Sequence, residues 1–338
     1  MLFIKNLNIF NPYFNLASEE YVLENFNRHD NIFMLWRNEP SVILGANQNA
    51  YAEINLDYAE KNNIKIVRRL SGGGCVFHDF GNINFSFFEI IGEGDDGRIL
   101  NFEHFVKPVV NALKKLGLNA ELKGRNDLLI DGAKFSGNAQ RVYKNSAGIK
   151  KIMHHGTILF DSDMGRLAQV LNADEDKIKS KSIKSVRSRV TNIRPHLKDS
   201  GKDMPPEEFL RCLEDYIVRE KNCELYDFSA DDVKNIELTA QKYASPEFIF
   251  GSKLKYEFAN KKRFDFGTVE IKFNVKDYKI CSAKIHGDFF GELDIKELEG
   301  SLNGLAHDIN MIRDALGGKD IEKYIKGCDL EKFTGIII

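Results

Sequence analysis

The sequence lacks the features that mark several broad classes of protein. No stretch of its 338 residues approaches the ~20 apolar residues of a membrane-spanning helix. The N-terminus has no basic flank ahead of an apolar core, so we expect a cytoplasmic protein without a membrane anchor. Lysine and arginine number 48 against 50 acidic residues, a net charge of -2. That balance gives no general attraction for nucleic acid or anionic lipid, and a polyanion would need a local site.

Cysteine is scarce, and the common nucleotide motifs are missing. The five cysteines are scattered and never spaced as C-x-x-C, which predicts reduced, mostly structural thiols. Neither the Walker pattern G-x-x-x-x-G-K-[ST] nor the dinucleotide pattern G-x-G-x-x-G occurs. Any phosphate loop in this chain therefore belongs to another type.

The remaining composition is that of an ordinary globular protein, with 43% hydrophobic and 29% charged residues. The length favours two domains, and we expect a boundary near Ser245, which gives units 1–245 and 246–338. Strands mixed with helices predict an α+β (α/β) fold. Periodicity predicts neighbouring strands of one sheet at 32–37, 41–45, 64–70 and 83–87, further strands at 127–131 and 156–160, and a helix at 102–116.

The second unit reads as two strands followed by a helix. Residues 269–275 alternate apolar and polar side chains, and 279–287 continue as a strand. One helical stripe of spacing 4-3-4-3 follows and predicts a core-facing helix; it consists of Leu298, Leu302, Leu305, Ile309 and Ile312.

Residues 68–84, RRLSGGGCVFHDFGNIN, are the first candidate site. Three glycines from Gly72 to Gly74 allow positive φ and carry no Cβ, so that backbone N–H groups can approach a phosphate. A neighbouring arginine supplies forked, permanently charged donors. The alternative is an ordinary glycine turn.

A second candidate lies in GRNDLLIDGAKFSGNAQRVY, residues 124–143. Lys134 stands between Gly132 and Gly137 in a hairpin of small residues that a carboxylate or phosphate could approach. Asp127 precedes it and could hold Mg²⁺, which prefers one or two carboxylates together with phosphate oxygens. The alternative is a solvated surface lysine.

Histidines and a basic run complete the candidates. His154 and His155 are adjacent, so on a strand they point to opposite faces, which disfavours a shared metal. We expect one of them to pack or hydrogen-bond near a ligand, and His78 has the same ambiguity. Residues 177–194 are rich in lysine and arginine, which predicts either a mobile, anion-seeking loop or a solvated basic helix face.

Taken in order, RRLSGGGCVFHDFGNINFSF, GRNDLLIDGAKFSGNAQ and HHGTILF resemble the lipoate–protein ligase A family. The upstream WRNEPSVILGANQNAYAEIN and the downstream SPEFIFGSKLKYEFANKKRF resemble it too, so the similarity spans nearly the whole chain. The resemblance implies a mixed β-sheet catalytic domain of the biotin/lipoate ligase type over 1–245. A small α+β accessory domain would occupy 246–338.

The resemblance also implies a two-step reaction. Lipoate and ATP give lipoyl-AMP and pyrophosphate, and a lysine of a lipoyl-domain protein then takes the acyl group as an amide. The acceptors would be lipoyl domains of 2-oxoacid dehydrogenase E2 subunits or the glycine-cleavage H protein. Lys134 is the expected catalytic residue, a fixed cation between two anions, and 177–194 would close over the adenylate.

The resemblance assigns the remaining roles residue by residue, with Asp127 as the expected Mg²⁺ ligand. The expected ATP-binding residues are Arg69, Gly74, Cys75, Val76, Phe77 and Lys134. The expected lipoate-binding residues are Arg69, Ser71, Gly72, Gly73, His78, Lys134, Arg141 and His155.

Two rival functions stay open at this point. Cys75 stands where the family has a small residue, so it is either a space-filler or a nucleophile. An ATP-independent octanoyl- or lipoyl-transferase of the same fold would use a thioester cysteine, but its relatives place that cysteine after the lysine, and none occurs here between Lys134 and Cys212. The second rival is a non-catalytic module that binds lipoate or lipoyl domains. A biotin-ligase-type repressor is disfavoured because no helix-turn-helix precedes the catalytic unit.

Overall fold

The computed structural model describes residues 1–6, 8–28, 31–92, 96–171, 190–199, 201–251 and 256–337. Within these ranges the strands form three sheets. The strands are β1 (Leu2–Lys5), β2 (Asn31–Trp36), β3 (Ser41–Leu44), β4 (Lys65–Arg68), β5 (Val76–His78), β6 (Asn82–Ile90), β7 (Glu121–Lys123), β8 (Asp127–Ile130), β9 (Ala133–Lys144), β10 (Lys150–Leu159), β11 (Glu224–Asp227), β12 (Phe258–Phe264), β13 (Gly267–Lys276) and β14 (Lys279–Gly287).

Helices cover both faces of the sheets. None in the described ranges combines the length and apolar character that crossing a membrane demands. The α-helices are α1 (Pro12–Asn25), α2 (Ala50–Glu53), α3 (Leu56–Lys61), α4 (Phe102–Lys115), α5 (Met164–Val170), α6 (Arg194–Asp199), α7 (Pro206–Glu220), α8 (Ala230–Ala244), α9 (Pro246–Phe250), α10 (Ile295–Leu302), α11 (Ile309–Leu316), α12 (Ile321–Tyr324) and α13 (Leu330–Ile337).

The large sheet is mixed and has the order β11-β1-β2-β6-β10-β9-β8-β7. β1 runs parallel to β11 and β2, and the other neighbours are antiparallel. Alternate residues face opposite sides. One side, with Phe33 and Phe85, packs in a cluster with apolar residues of α4 and α7. The other, with Met34 and Trp36, packs in a cluster with those of α1 and α8. The α+β class is confirmed.

The four strands predicted to be neighbours are all present, but they divide between two sheets. β2 and β6 pair in the large sheet, whereas β3 and β4 pair in a separate small sheet of order β4-β3-β5. The single-sheet prediction was wrong because periodicity identifies a strand without identifying its partner. The space between the two sheets is where the candidate site lies.

The C-terminal unit contains an antiparallel sheet, β12-β13-β14, packed against α10 to α13. The single helix predicted from the leucine and isoleucine stripe is instead two helices, α10 and α11. Gly304, at φ +86°, and Leu305 lie between them. The Gly304 N–H donates to the Ile280 carbonyl, and the Ile280 N–H donates to the Leu305 carbonyl. These edge hydrogen bonds compete with a continuous helix, although Leu298, Leu302 and Ile312 remain buried as predicted.

Another local prediction is confirmed, since the helix expected at 102–116 is α4. Ser229 with Asp232 forms a capping box at the start of α8. Between β8 and β9, Asp131 (φ +50°) and Gly132 (φ +78°) form a tight turn. This turn leads directly into Lys134 on β9.

Candidate active site

A cavity of about 130 Å³ lies between the two sheets of the N-terminal unit. Residues from the glycine loop, β5, β9 and β10 line it, together with one side chain from the C-terminal unit, Phe290. Of the residues predicted for ligand binding, eight contribute to the lining: Arg69, Gly73, Gly74, Cys75, Val76, His78, Lys134 and His155.

Arg69 lies beneath the glycine loop and is 6% exposed. Its Nη2 donates to the carbonyls of Gly72 (2.7 Å) and Gly74 (2.8 Å), its Nη1 to the Ile43 carbonyl (3.1 Å) and its Nε to Ser71 Oγ (3.0 Å). Burial lowers the pKa of Arg69 to about 10, which still leaves it charged at neutral pH. The guanidinium therefore holds the loop by its carbonyls, and these four hydrogen bonds all go to protein atoms.

The glycine loop needs its glycines for close approach. Gly73 has φ +90°, and a Cβ on Gly45 would lie 2.0 Å from the Gly73 carbonyl oxygen. Opposite, a Cβ on Gly72 would lie 2.5 Å from the Phe289 carbonyl oxygen. The loop is thus held between the small sheet and the C-terminal unit without room for side chains.

Lys134 lies near the start of β9 with its side chain about a third exposed. Its Nζ is 2.6 Å from Asp127 Oδ1, with side-chain exposures of 38% and 36%. A Cβ on Gly137 would lie 3.2 Å from Nζ, so the amine rests directly over this glycine. The lysine is therefore aimed across the cavity floor and not into bulk solvent.

A buried polar relay supports the cavity wall. Arg69 donates to Ser71, Ser71 Oγ is 2.6 Å from His155 Nε2, and His155 Nδ1 is 2.9 Å from Glu19 Oε1. Because arginine only donates and a carboxylate only accepts, the relay runs from Arg69 to Glu19. Ser86 also donates to Glu19, at 2.6 Å. The relay thereby joins the buried Arg69 guanidinium to the buried Glu19 carboxylate through Ser71 and His155.

The same carboxylate orients the tryptophan of the wall. Trp36 Nε1 donates to Ser86 Oγ at 2.8 Å, and Ser86 donates to Glu19. Trp36 and Glu19 are 3% and 2% exposed. Glu19, Ser86 and Trp36 were not predicted from the sequence. Trp36 could have been singled out as a candidate because it is the single tryptophan of the chain. The sequence gives no such signal for Glu19, a glutamate within a helix.

The paired histidines do point to opposite faces. His155 faces the cavity, whereas His154 lies 5.2 Å from the Phe105 ring, stacked in the core behind it. Burial, with smaller contributions from the neighbouring histidines, lowers the pKa of His154 far below its usual value. In the described part of the chain no group of three or more His, Cys, Asp or Glu side chains is placed to hold a metal ion.

Four of the residues predicted for ligand binding lie outside the cavity lining: Ser71, Gly72, Phe77 and Arg141. Phe77 packs in the apolar cluster behind β5. Arg141 pairs with Asp294 of the C-terminal unit at 3.7 Å. The proposed closing loop falls for the most part, at 177–189, outside the described residues. Among its last residues, Thr191 donates its backbone N–H to the Lys134 carbonyl at 2.8 Å.

The C-terminal unit closes one side of the site. The Phe290 ring is 5.6 Å from the Phe102 ring, and the Arg125 guanidinium lies 4.3 Å from the Phe290 ring centre. Gly287 N–H donates to the Asn47 carbonyl at 2.9 Å. Residues 287–290 thus cover the glycine loop.

Comparison with known proteins identifies similar chains over the whole length. Residues 11–218 match the model of the lipoyl protein ligase A/B catalytic domain, and residues 253–337 match that of the bacterial lipoate protein ligase C-terminus. The chain is 44% identical to lipoate–protein ligase 1 of Staphylococcus aureus, covering 97% of both chains. It is 40% identical to lipoate-protein ligase LplJ of Bacillus subtilis, covering 100% of both.

Solved structures show the same fold. LipL1 of P. falciparum, solved in complex with lipoate, superposes with a TM-score of 0.79 at 24% identity, covering 99% of this chain and 97% of that one. A bipartite ligase of Thermoplasma acidophilum, described with its E2 lipoyl domain, has a TM-score of 0.61 at 28% identity, covering 76% and 98%. A lipoate-protein ligase A bound with ATP has a TM-score of 0.59 at 26% identity, covering 74% and 97%.

Proposed function

The chain belongs to the lipoate–protein ligase family, and from that premise we propose how its cavity carries out the reaction. The protein is an ATP-dependent lipoate–protein ligase. It activates lipoate as lipoyl-AMP with release of pyrophosphate, and it transfers the lipoyl group to a protein lysine. The observation that carries the assignment of roles is the Lys134 amine, which lies over the cavity floor beside Asp127.

The first step joins two anions, so it needs a fixed positive charge. In our proposal the Lys134 amine contacts both the carboxylate of the acid and the α-phosphate of ATP, which lowers their repulsion and holds the attacking oxygen in line. Asp127 restrains the amine before substrate binds, because the ion pair leaves it few other positions. Lys134 is thus the catalytic residue.

The glycine loop forms the nucleotide side of the site. With its Gly72 and Gly74 carbonyls turned to Arg69, the loop presents its remaining backbone to the cavity. We propose that Gly74, Cys75 and Val76 contact the adenylate, and that Arg69 acts mainly by fixing the loop and by its positive charge below it. Phe77 supports the loop from the core.

Asp127 fits a magnesium ion only as a single carboxylate ligand. One oxygen pairs with Lys134, so the ion would be held mainly by ATP phosphate oxygens, as is usual for Mg²⁺. Such an ion would neutralise charge on the departing pyrophosphate. Asp127 would then position the ion and the lysine together.

The apolar walls would hold the tail of the acid. Leu16, Trp36, Ile43 and Val76 line the same cavity as His155. We propose that the acyl tail lies between them, with His155 and Ser71 forming its polar edge. Arg141 lies beyond this lining and contributes through its contact with the C-terminal unit.

The acceptor is a lysine on a second protein. We propose lipoyl domains of 2-oxoacid dehydrogenases or the glycine-cleavage H protein, since one structural neighbour is described with its E2 lipoyl domain. We also propose that the units 1–245 and 246–338 act as catalytic and accessory domains, in the cytoplasm.

The test is lipoate-dependent exchange of pyrophosphate into ATP, followed by transfer to an apo lipoyl domain. The purified protein should catalyse exchange only with acid and Mg²⁺ present, and Lys134→Ala should not form lipoyl-AMP. Lysine 144, on the exposed end of the same strand, provides the matched control Lys144→Ala. Normal lipoyl-AMP synthesis by Lys134→Ala would refute the assignment.

A second candidate, the thioester transferase, is favoured by one observation: Cys75 lines the cavity. A transferase of that type would load acyl groups without ATP and would be inactivated by iodoacetamide. The ligase should instead remain largely active after treatment with iodoacetamide. The Cys75→Ala variant should also remain active, and its transfer of the acyl group should depend on ATP.

A further inference from the structure

Two buried polar side chains of the cavity have no hydrogen-bond partner for one of their atoms among the described residues. They are His78, at Nε2, and Asn84, at Nδ2. Both line the cavity, and they are 3% and 1% exposed. Nearly all buried polar groups in proteins are paired, so two unpaired groups facing one cavity indicate a ligand with complementary atoms.

The neighbours of His78 fix which nitrogen carries its proton. Asn15 Nδ2 donates to the Ile9 and Arg37 carbonyls and to Asn38 Oδ1. Asn38 therefore turns its Nδ2 to His78 Nδ1, at 3.0 Å. Because an amide nitrogen only donates, Nδ1 accepts and the neutral ring carries its proton on Nε2. His78 thus presents an N–H donor to the cavity.

Asn84 presents a second donor. Its Oδ1 accepts from Asn82 Nδ2 at 2.8 Å, and its own Nδ2 has no partner among the described residues. The two groups are close to the same wall residue. Asn84 is the cross-strand partner of Trp36, and the His78 ring lies 6.0 Å from the Trp36 ring.

The sheet register separates Asn84 from the Lys134 amine. Gly137, under the Lys134 amine, donates to Thr157 Oγ1 on the next strand, and Thr157 is the cross-strand partner of Asn84. Asn84 is therefore two strands away from Gly137, about 10 Å at the usual strand spacing of ~4.8 Å. Gly137, Thr157 and Asn84 all line the cavity, so the distance from Gly137 to Asn84 runs along the cavity floor.

That separation matches the length of lipoate. Its carboxyl carbon is joined to the dithiolane ring by five carbon–carbon bonds of about 1.5 Å, which span roughly 6–7 Å when extended. An amine–carboxylate contact adds about 2.8 Å. An acid anchored at Lys134 and lying along the floor brings its sulfur-bearing end to Asn84 and His78.

We propose that His78 Nε2 and Asn84 Nδ2 donate to the dithiolane sulfurs and so make the site select lipoate over straight-chain octanoate. The proposal rests on the proposed function. Sulfur is a weak acceptor, but it is an acceptor. The terminal methyl group of octanoate accepts nothing and would leave two desolvated donors unpaired, and a site with unpaired buried groups discriminates strongly.

The test compares lipoate and octanoate in the pyrophosphate-exchange assay with the full-length protein. The wild type should prefer lipoate in kcat/KM by on the order of tenfold or more. Asn84→Leu and His78→Leu should reduce that ratio severalfold, mainly by raising KM for lipoate. His78→Gln, which keeps an N–H near the Nε2 position, should preserve more of the ratio than His78→Leu.

Asn84→Asp separates this proposal from a purely structural role. Aspartate keeps the shape of asparagine and the acceptor for Asn82, but it places a second acceptor against the sulfur in place of the donor. Binding of lipoate should therefore weaken more than binding of octanoate. Trp36, the single tryptophan, gives a fluorescence titration that measures binding of each acid without turnover. Thermal unfolding of each variant checks that it is folded.

Three outcomes would overturn the inference. The first is an unchanged lipoate-to-octanoate ratio in the folded variants. The second is an equal loss of kcat/KM for lipoate and octanoate in pyrophosphate exchange. The third is slower transfer from preformed acyl-AMP for both acids alike, which would put the donors at the carbonyl oxygen. A wild type without lipoate-dependent exchange would instead contradict the proposed function itself.

Discussion

The two ends of the cavity handle polar groups in opposite ways. At the reactive end, Lys134 and Asp127 are charged, about a third exposed and paired with each other. At the far end, His78 and Asn84 are neutral, buried and held by neighbours, each with one atom left unpaired. The exposed end can exchange one ionic partner for another when substrate arrives. The buried end cannot rearrange, so it reads the shape and acceptors of the ligand.

Removing the charge at the reactive end should have the largest effect. Lys134→Ala should lower adenylate formation at least a hundredfold, because the variant loses the preorganised positive charge of this amine. Acid-dependent pyrophosphate exchange measures it. Lys144→Ala, on the same strand, should remain within about twofold of wild type, since it is exposed and distant. Similar losses in both variants would show that β9 as a whole, and not this amine, was disturbed.

The free energy of unfolding, unlike activity, should depend more on the buried polar groups of the cavity wall than on the exposed Lys134–Asp127 pair. Glu19→Ala leaves His155 and Ser86 without their buried acceptor and should lower the free energy of unfolding by about 2–4 kcal/mol. Asp127→Ala removes one partner of a partly exposed pair and should lower it by less than about 1 kcal/mol.

Urea unfolding followed by circular dichroism measures both variants. In Glu19→Ala the Trp36 emission should also shift, because its hydrogen-bond chain ends at Glu19. Equal destabilisation by the two variants would contradict the contrast between a buried and an exposed end.

The free energy of unfolding should fall in acid because His78, at the far end of the cavity, is neutral in the folded state. Burial, then the positive charge of Arg69 and the neighbouring His155, lower the pKa of His78 to about 3 from the ordinary value of 6.5. Between those values the unfolded state binds the extra proton, so the folded state loses stability as pH falls from 6.5 towards 3.

The loss from this one group is at most about 1.4 kcal/mol per pH unit. His78→Gln removes it, so the variant should show a flatter decline of unfolding free energy over this pH range than wild type. Parallel curves for the two proteins would mean that His78 is protonated in the folded state.

Cys75→Ala should have the smallest effect. The thiol is half-buried against the apolar cluster behind the loop, and alanine fills nearly the same space, so exchange and transfer should stay within about twofold of wild type. If the Cys75→Ala variant lost both ATP-independent acyl loading and transfer activity, the result would favour the thioester mechanism instead.

Local sequence signals predicted the site better than the sheet that carries it. The Gly72–Gly74 triplet, Lys134 and the paired histidines were all identified, because glycine, charge and strand alternation have local physical meanings. His78 was also expected, although not as an unpaired donor. Glu19, Ser86 and Asn84 escaped notice because each is an unremarkable polar residue on a regular helix or strand.

By itself, the sequence determined which segments form strands and helices, where the tight glycine turns fall, and which family the motifs resemble. Only the tertiary structure decided that β2 and β6 belong to one sheet while β3 and β4 belong to another, and that Arg69 turns inward to grip its own loop. It also decided that Asn84 on β6 lies two strands from Lys134 on β9. Backbone preferences act between neighbours in the chain, whereas strand pairing and burial join residues 50 to 136 positions apart, as Trp36 with Ser86 and Glu19 with His155.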